Sequence, residues 1–258
     1  MAYTEEQASH LVSEQGTVAS LLKELMLQTV VQGQESSHTG VREHLLHGVA
    51  RRINVLGRAI ENIFGKFPPS TSSLLERDAL YDVQINLHAF VMNLYGVFDN
   101  WAWAFVFRHG LESEIRDRRG VGLFHERTTR YLPPILRDYL SSSTTTDWHE
   151  KYLKSFRDAL AHRIPLYIPP AEITPEEGDR YNRLESEKVE LIRTMQWDRL
   201  EEVWDQQAEL GRPSFVFLHA FSEDDPPRPI LLHPQLLCDA GAIVEFGTIF
   251  LKHWHERA

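Results

Sequence analysis

The chain has 258 residues, 42% of them hydrophobic and 25% charged, enough to bury one large core. A formal net charge of −10 argues against a protein that coats nucleic acid by bulk electrostatics, and a single cysteine, Cys238, excludes an internal disulfide framework and a multi-cysteine zinc site. The opening MAYTEEQASH carries acids where a secretory leader carries basic residues, and no apolar run approaches the roughly 18 residues of a membrane span, so a cytoplasmic protein with no membrane partner is expected.

Thr4 and Gln7 stand at capping-box spacing, and Leu11, Val18, Leu22 and Leu25 follow at helical intervals, which predicts a first helix to about Val31. Val41, Leu45, Val49, Leu56, Ile60 and Ile63 predict a second amphipathic helix over 40–64, ended by Gly65 and by Pro68 just beyond. A third runs from about Ser72 to His109, and its half FVMNLYGVFDNWAWAFVF is apolar nearly all round, which suits the centre of a bundle. Residues 110–146 read as a long connection with one short helix at 134–140. Asp147 and Glu150 then have cap spacing for a helix from about 148 to Arg163, which Pro165 stops.

PLYIPP reads as extended, and Thr174, Pro175 and Glu177 open a long acidic helix to about Leu210. SFVFLHAF and RPILL, joined by SEDDPP, predict a small β-hairpin at an edge. A last apolar helix spans His233 to about Trp254, with Cys238 read as a small core residue. The expected fold is mainly α, an antiparallel helical bundle over 1–258, with an extra helix and the hairpin inserted at about 164–232 before the last helix.

Charge is unevenly spread. From Arg108 to Arg137 there are seven arginines against four acids, whereas 174–208 holds ten acids against five basic residues. Any anion-binding surface therefore belongs beside the first segment, which otherwise reads as an arginine-rich solvated loop. No nucleophile elbow, Walker loop or glycine-rich dinucleotide turn occurs. His44 and His47 share a helix face beside Glu43 without a third metal ligand fixed by sequence. Asn86, Asn93 and Asn100 recur every seven residues and form one polar stripe, because a heptad drifts only about 20°. With Asp99 nearby, the stripe either sets register against a neighbouring helix or lines a ligand cleft.

The segment SFRDALAHRIPLYIPP holds Arg157, Asp158 and His162. Asp158 and His162 share a face, and Arg157 is roughly 140° away from the histidine around the helix. Read from the residues alone, either Asp158 orients and charge-stabilises the His162 imidazole, or His162 and Arg163 simply cap a helix end.

FRDALAHR resembles the R-x4-6-H signature of the HEPN superfamily, the higher eukaryote and prokaryote nucleotide-binding domains, with a spacing of four here. Arg157 matches the family arginine, His162 the family histidine, and Asp158 the polar position after the arginine. AHRIPLYIPP is similar to a bacterial HEPN-like branch, over less than a tenth of the chain. The resemblance implies a helical bundle, commonly homodimeric, with no cofactor. It further implies metal-independent cleavage of RNA, in a defence or toxin role that carries a protein antitoxin or partner. Arg157, Asp158 and His162 would be catalytic, and Arg163, Arg116, Arg118, Arg119, Arg127 and Arg130 would bind RNA. The alternatives are a non-catalytic HEPN-like module for nucleotide, RNA or protein, and a structural protein that uses its acidic helix as a partner surface.

Overall fold

The computed structural model describes residues 3–115, 117–218 and 229–258. Helix α1 (Glu5–Glu35) opens on the expected reciprocal cap: the Thr4 hydroxyl accepts from the Gln7 amide, and the Gln7 side chain accepts from the Thr4 amide. Next come α2 (Thr39–Arg42), a π-helical segment (Glu43–Val49) and α3 (Ala50–Lys66), together the second helix of the sequence. In the π segment bonds reach one residue further back, the Ala50 N–H meeting the Leu45 carbonyl. Helix α4 (Arg77–Arg108) starts later than Ser72 and buries Leu87, Phe90, Leu94, Val97 and Trp101 at the centre of the bundle.

The connection after α4 holds more structure than expected: α5 (Glu112–Ile115), a 3-10 turn (Arg118–Gly120), α6 (Glu126–Thr129) and α7 (Pro134–Ser141). The helix of the Arg157 motif follows as α8 (Ser143–Asp147), a second π-helical segment (Trp148–Leu153) and α9 (Lys154–His162). Its cap is Ser142, whose hydroxyl accepts from the Thr145 amide, so SSSTTT starts the helix and Asp147 lies inside it.

The single long acidic helix is in fact two, α10 (Pro175–Arg193) and α11 (Trp197–Ala208). Met195 turns the chain at a φ of 52°. The pair then buries Leu184 and Leu191 with Leu200, Val203 and Leu210, apolar surface that one straight helix would leave in water. That cluster is distinct from the main core, which instead takes in Leu166, Ile168, Phe215 and Phe217 from the flanks of the insertion.

Strands β1 (Val216–Leu218) and β2 (Pro229–Leu231) pair antiparallel with Phe217 opposite Ile230, and Tyr167 of PLYIPP bridges to Leu218. The turn SEDDPP lies outside the described residues. Helix α12 (Leu232–His253) closes the bundle. The fold is thus mainly α with a two-stranded hairpin.

Helix α3 lies along α4, α1 packs on α3 and α12, and α9 closes onto α4. By length and composition α12 is apolar enough to cross a membrane, contrary to the sequence expectation. Within the fold its apolar sides meet α1, α3, α4 and α7, and it carries the fully buried His233 and Asp239. Cys238, expected in the core, is exposed, because Asp239 and not Cys238 turns inward.

Candidate functional site

Helix α9 leans on α4, and this contact seats Arg157. Its guanidinium lies 4.0 Å from the Tyr95 ring centroid, and Nη1 is 3.0 Å from Asp158 Oδ1. The Nε donor is buried with no hydrogen-bond partner among the described residues. Asp158 therefore pairs with Arg157, and no bond joins it to His162 among the described residues. His162 and Arg163 close the helix and are exposed, the Arg163 N–H bonding the Ala159 carbonyl at 3.0 Å.

Beside Arg157, Tyr95, Asp99, Arg119, Phe124, His149 and Lys154 line a cavity of about 190 Å3. His149 stacks on Phe124 at 3.6 Å, and its Nδ1 is 3.0 Å from Glu150 Oε1. Burial holds this imidazole below its ordinary pKa, against the opposing pull of Glu150. A carboxylate only accepts, so the neutral ring donates from Nδ1 and keeps Nε2 as an acceptor. Lys154 Nζ binds the other Glu150 oxygen at 2.9 Å. Asp99 has part of its surface in solvent. Its carboxyl is nevertheless raised above the usual range by the protein around it, an effect that Arg157 and then Arg52 oppose.

The arginines expected to bind RNA divide. Arg119 reaches the cavity. Arg127 is paired with Asp117 at 3.8 Å, and Arg130 stacks on Tyr131 and bonds its hydroxyl at 2.7 Å. Arg118 is exposed on the 3-10 turn, and Arg116 lies outside the described residues.

The asparagine stripe meets α3. Asn86 accepts from Asn62 at 2.9 Å. Asn100 and Asn93 accept from Arg52 Nε and Nη1 at 2.8 and 3.0 Å. The stripe thus ties α3 to α4, and Asn93 and Asn100 also line a cleft of about 390 Å3 with His44, His47 and Arg51. Asp99, on the neighbouring face, belongs to the Arg157 side. His44 is held by the Asn100 amide at 3.1 Å and by the rings of Trp103 and Phe107, and no third metal-type ligand joins it and His47 among the described residues.

The sequence alone did not join Tyr95, His149, Lys154 or Arg52 to these sites. His149 carried one signal, its adjacency to Glu150, which spacing alone could not connect to the arginine on the next turns. Searches against family models, curated proteins and solved structures found no match to this chain.

Proposed function

We propose that the protein is a metal-independent HEPN-type endoribonuclease, a defence or toxin component that works with a protein partner, with Arg157, Asp158 and His162 at its centre. The observation that carries this reading is the seating of Arg157. Its cation is fixed by Tyr95 and Asp158 beside a cavity, on a helix whose His162 stands open to solvent. A fixed guanidinium suits paired oxygens of a scissile phosphate and offsets the charge that builds on them.

The substrate class is RNA because the reaction uses the 2′-hydroxyl. His162 takes its proton, the 2′-oxygen attacks phosphorus, and the bond to the 5′-oxygen breaks as that oxygen takes a proton from the resulting imidazolium or from water. The products carry a 2′,3′-cyclic phosphate and a 5′-hydroxyl. Arg119 and Lys154 at the cavity, and the exposed Arg163 and Arg118, supply cations for the flanking backbone. A homodimer that brings two motif helices to one strand accords with the resemblance.

A second assignment of the histidine is favoured by one observation. His149 is neutral, oriented by Glu150 and lines the cavity beside Arg157, the arrangement of a general base held by a carboxylate. Incubation of the full chain with unstructured RNA in excess EDTA tests the reading. The wild type is expected to cleave and Arg157→Ala to lose cleavage; a folded Arg157→Ala, His162→Ala double variant that still cleaves would rule it out.

A further inference from the structure

We propose that the cleft between the first π-helical segment and α4 binds a phosphate group, with Arg52 as the fixed cation. The inference rests on residues other than Arg157 and His162 and stands apart from the nuclease reading.

Arg52 is half-buried, and both its bonded partners are neutral amides, Asn100 at 2.8 Å and Asn93 at 3.0 Å. No carboxylate forms an ion pair with it among the described residues, and Nη2 has no hydrogen-bond partner there. A tie that only joined α3 to α4 would gain more from a carboxylate or an apolar pair, since a cation drawn from water without a counter-charge is costly. The amides orient the guanidinium and leave its charge in place.

The amides are themselves locked. Asn93 Nδ2 donates to the Ala89 carbonyl at 2.7 Å, and Asn100 Nδ2 is 3.1 Å from His44 Nδ1. Both oxygens are therefore committed to Arg52. Two glycines make room for the arrangement. A Cβ on Gly96 would lie 2.5 Å from Arg52 Cζ, and one on Gly48 would lie 2.6 Å from Asn100 Cγ. Gly48 and His44 both lie in the π-helical segment, which packs on α4, and such distortions recur at functional sites.

The cleft of about 390 Å3 adds Arg51 and His47, a second cation and an imidazole. Glu43 also lines it, and Asp99 acts on Arg52 from the next face, so the field is tempered but keeps two guanidinium groups. Two guanidiniums and an imidazole offer more donors than a carboxylate can use, and they match the several oxygens of a phosphate. The volume exceeds that of the anion and leaves room for the group it esterifies.

Calorimetric titration of the full chain with inorganic phosphate, 5′-AMP and a short oligoribonucleotide tests this. At least one is expected to bind saturably, and the tightest identifies the source of the phosphate. Arg52→Gln is expected to weaken that binding by about tenfold or more, as loss of a charge-assisted bond does. Gly96→Ala keeps every charge and displaces the guanidinium, so a comparable loss there marks a built site and not a general field. Arg51→Ser, at an exposed position, is expected to bind several-fold more weakly with folding intact. Absence of saturable binding for all three ligands, or equal affinity in the wild type, Gly96→Ala and Arg51→Ser, would overturn the proposal.

Discussion

Asp239 anchors the motif helix to α12, and its replacement by asparagine has a calculable effect. The carboxylate is fully buried and accepts from Trp148 Nε1 at 2.8 Å, Tyr152 Oη at 2.7 Å and Gln235 Nε2 at 2.8 Å. Burial outweighs these bonds and raises its pKa from 3.8 to about 6. The folded state therefore holds a proton that the unfolded chain releases near pH 4. The resulting stability is fully present below about pH 4 and is lost as pH rises through 6. At ~1.36 kcal/mol per pH unit the loss is about 3 kcal/mol.

His233 acts in the opposite sense. Fully buried against the Phe67 carbonyl at 2.7 Å, it has a pKa lowered by burial from 6.5 to about 4. Its contribution is present above pH 6.5 and is lost on acidification towards 4, again by about 3 kcal/mol. In the wild type the two nearly cancel between pH 4 and 6.5. Asp239→Asn keeps an acceptor for Trp148 and removes the charge. Urea denaturation from pH 4 to 8 is expected to give equal stabilities at pH 4 and a variant about 3 kcal/mol more stable at pH 8. The variant's stability should climb across the window in which the wild type is level. A variant less stable than the wild type at pH 8 would refute the reasoning, because the three bonds to the charged carboxylate would then outweigh its burial.

Two further substitutions separate packing from function. Gly247→Ala places a Cβ 2.7 Å from Leu25 Cδ2 and 2.9 Å from Trp101 Cζ2, where α1, α4 and α12 meet. Overpacking of about 1–3 kcal/mol should exceed the helix-propensity gain of about 1 kcal/mol, so a net loss is expected in urea and a stabilised variant would contradict it. His162→Ala removes an exposed side chain with no bonded partner among the described residues, and should change stability by less than about 0.5 kcal/mol. A loss of about 1 kcal/mol or more in the same assay would assign His162 to helix capping instead.

Most of the helical plan was legible because its signals are local. Thr4 and Thr174 cap where their sequence neighbours said they would, and Pro165 lies just beyond the end of α9. The two π segments were not legible, since an extra residue in one turn leaves the apolar period almost unchanged. Nor was the break at Met195, which follows from pairing Leu184 and Leu191 with Leu200 and Val203 and has no glycine or proline to announce it. The asparagine stripe was visible as a stripe, but Arg52 lies 48 residues from Asn100, and no spacing rule joins them. The placing of Tyr95 and His149 beside Arg157 was not legible for the same reason. Their neighbourhood with Arg157 is made by the packing of α9 and the segment before it on α4.

The most direct test of the central claim compares RNA cleavage in excess EDTA by the wild type, Arg157→Ala, His162→Ala and His149→Gln, each first shown to be folded. Cleavage by the wild type that is lost with Arg157 and with His162 is the predicted result, and the products should end in 2′,3′-cyclic phosphate. Loss with His149 and not with His162 would move the acid–base role to the cavity. Wild-type cleavage that survives the removal of Arg157 would contradict the account.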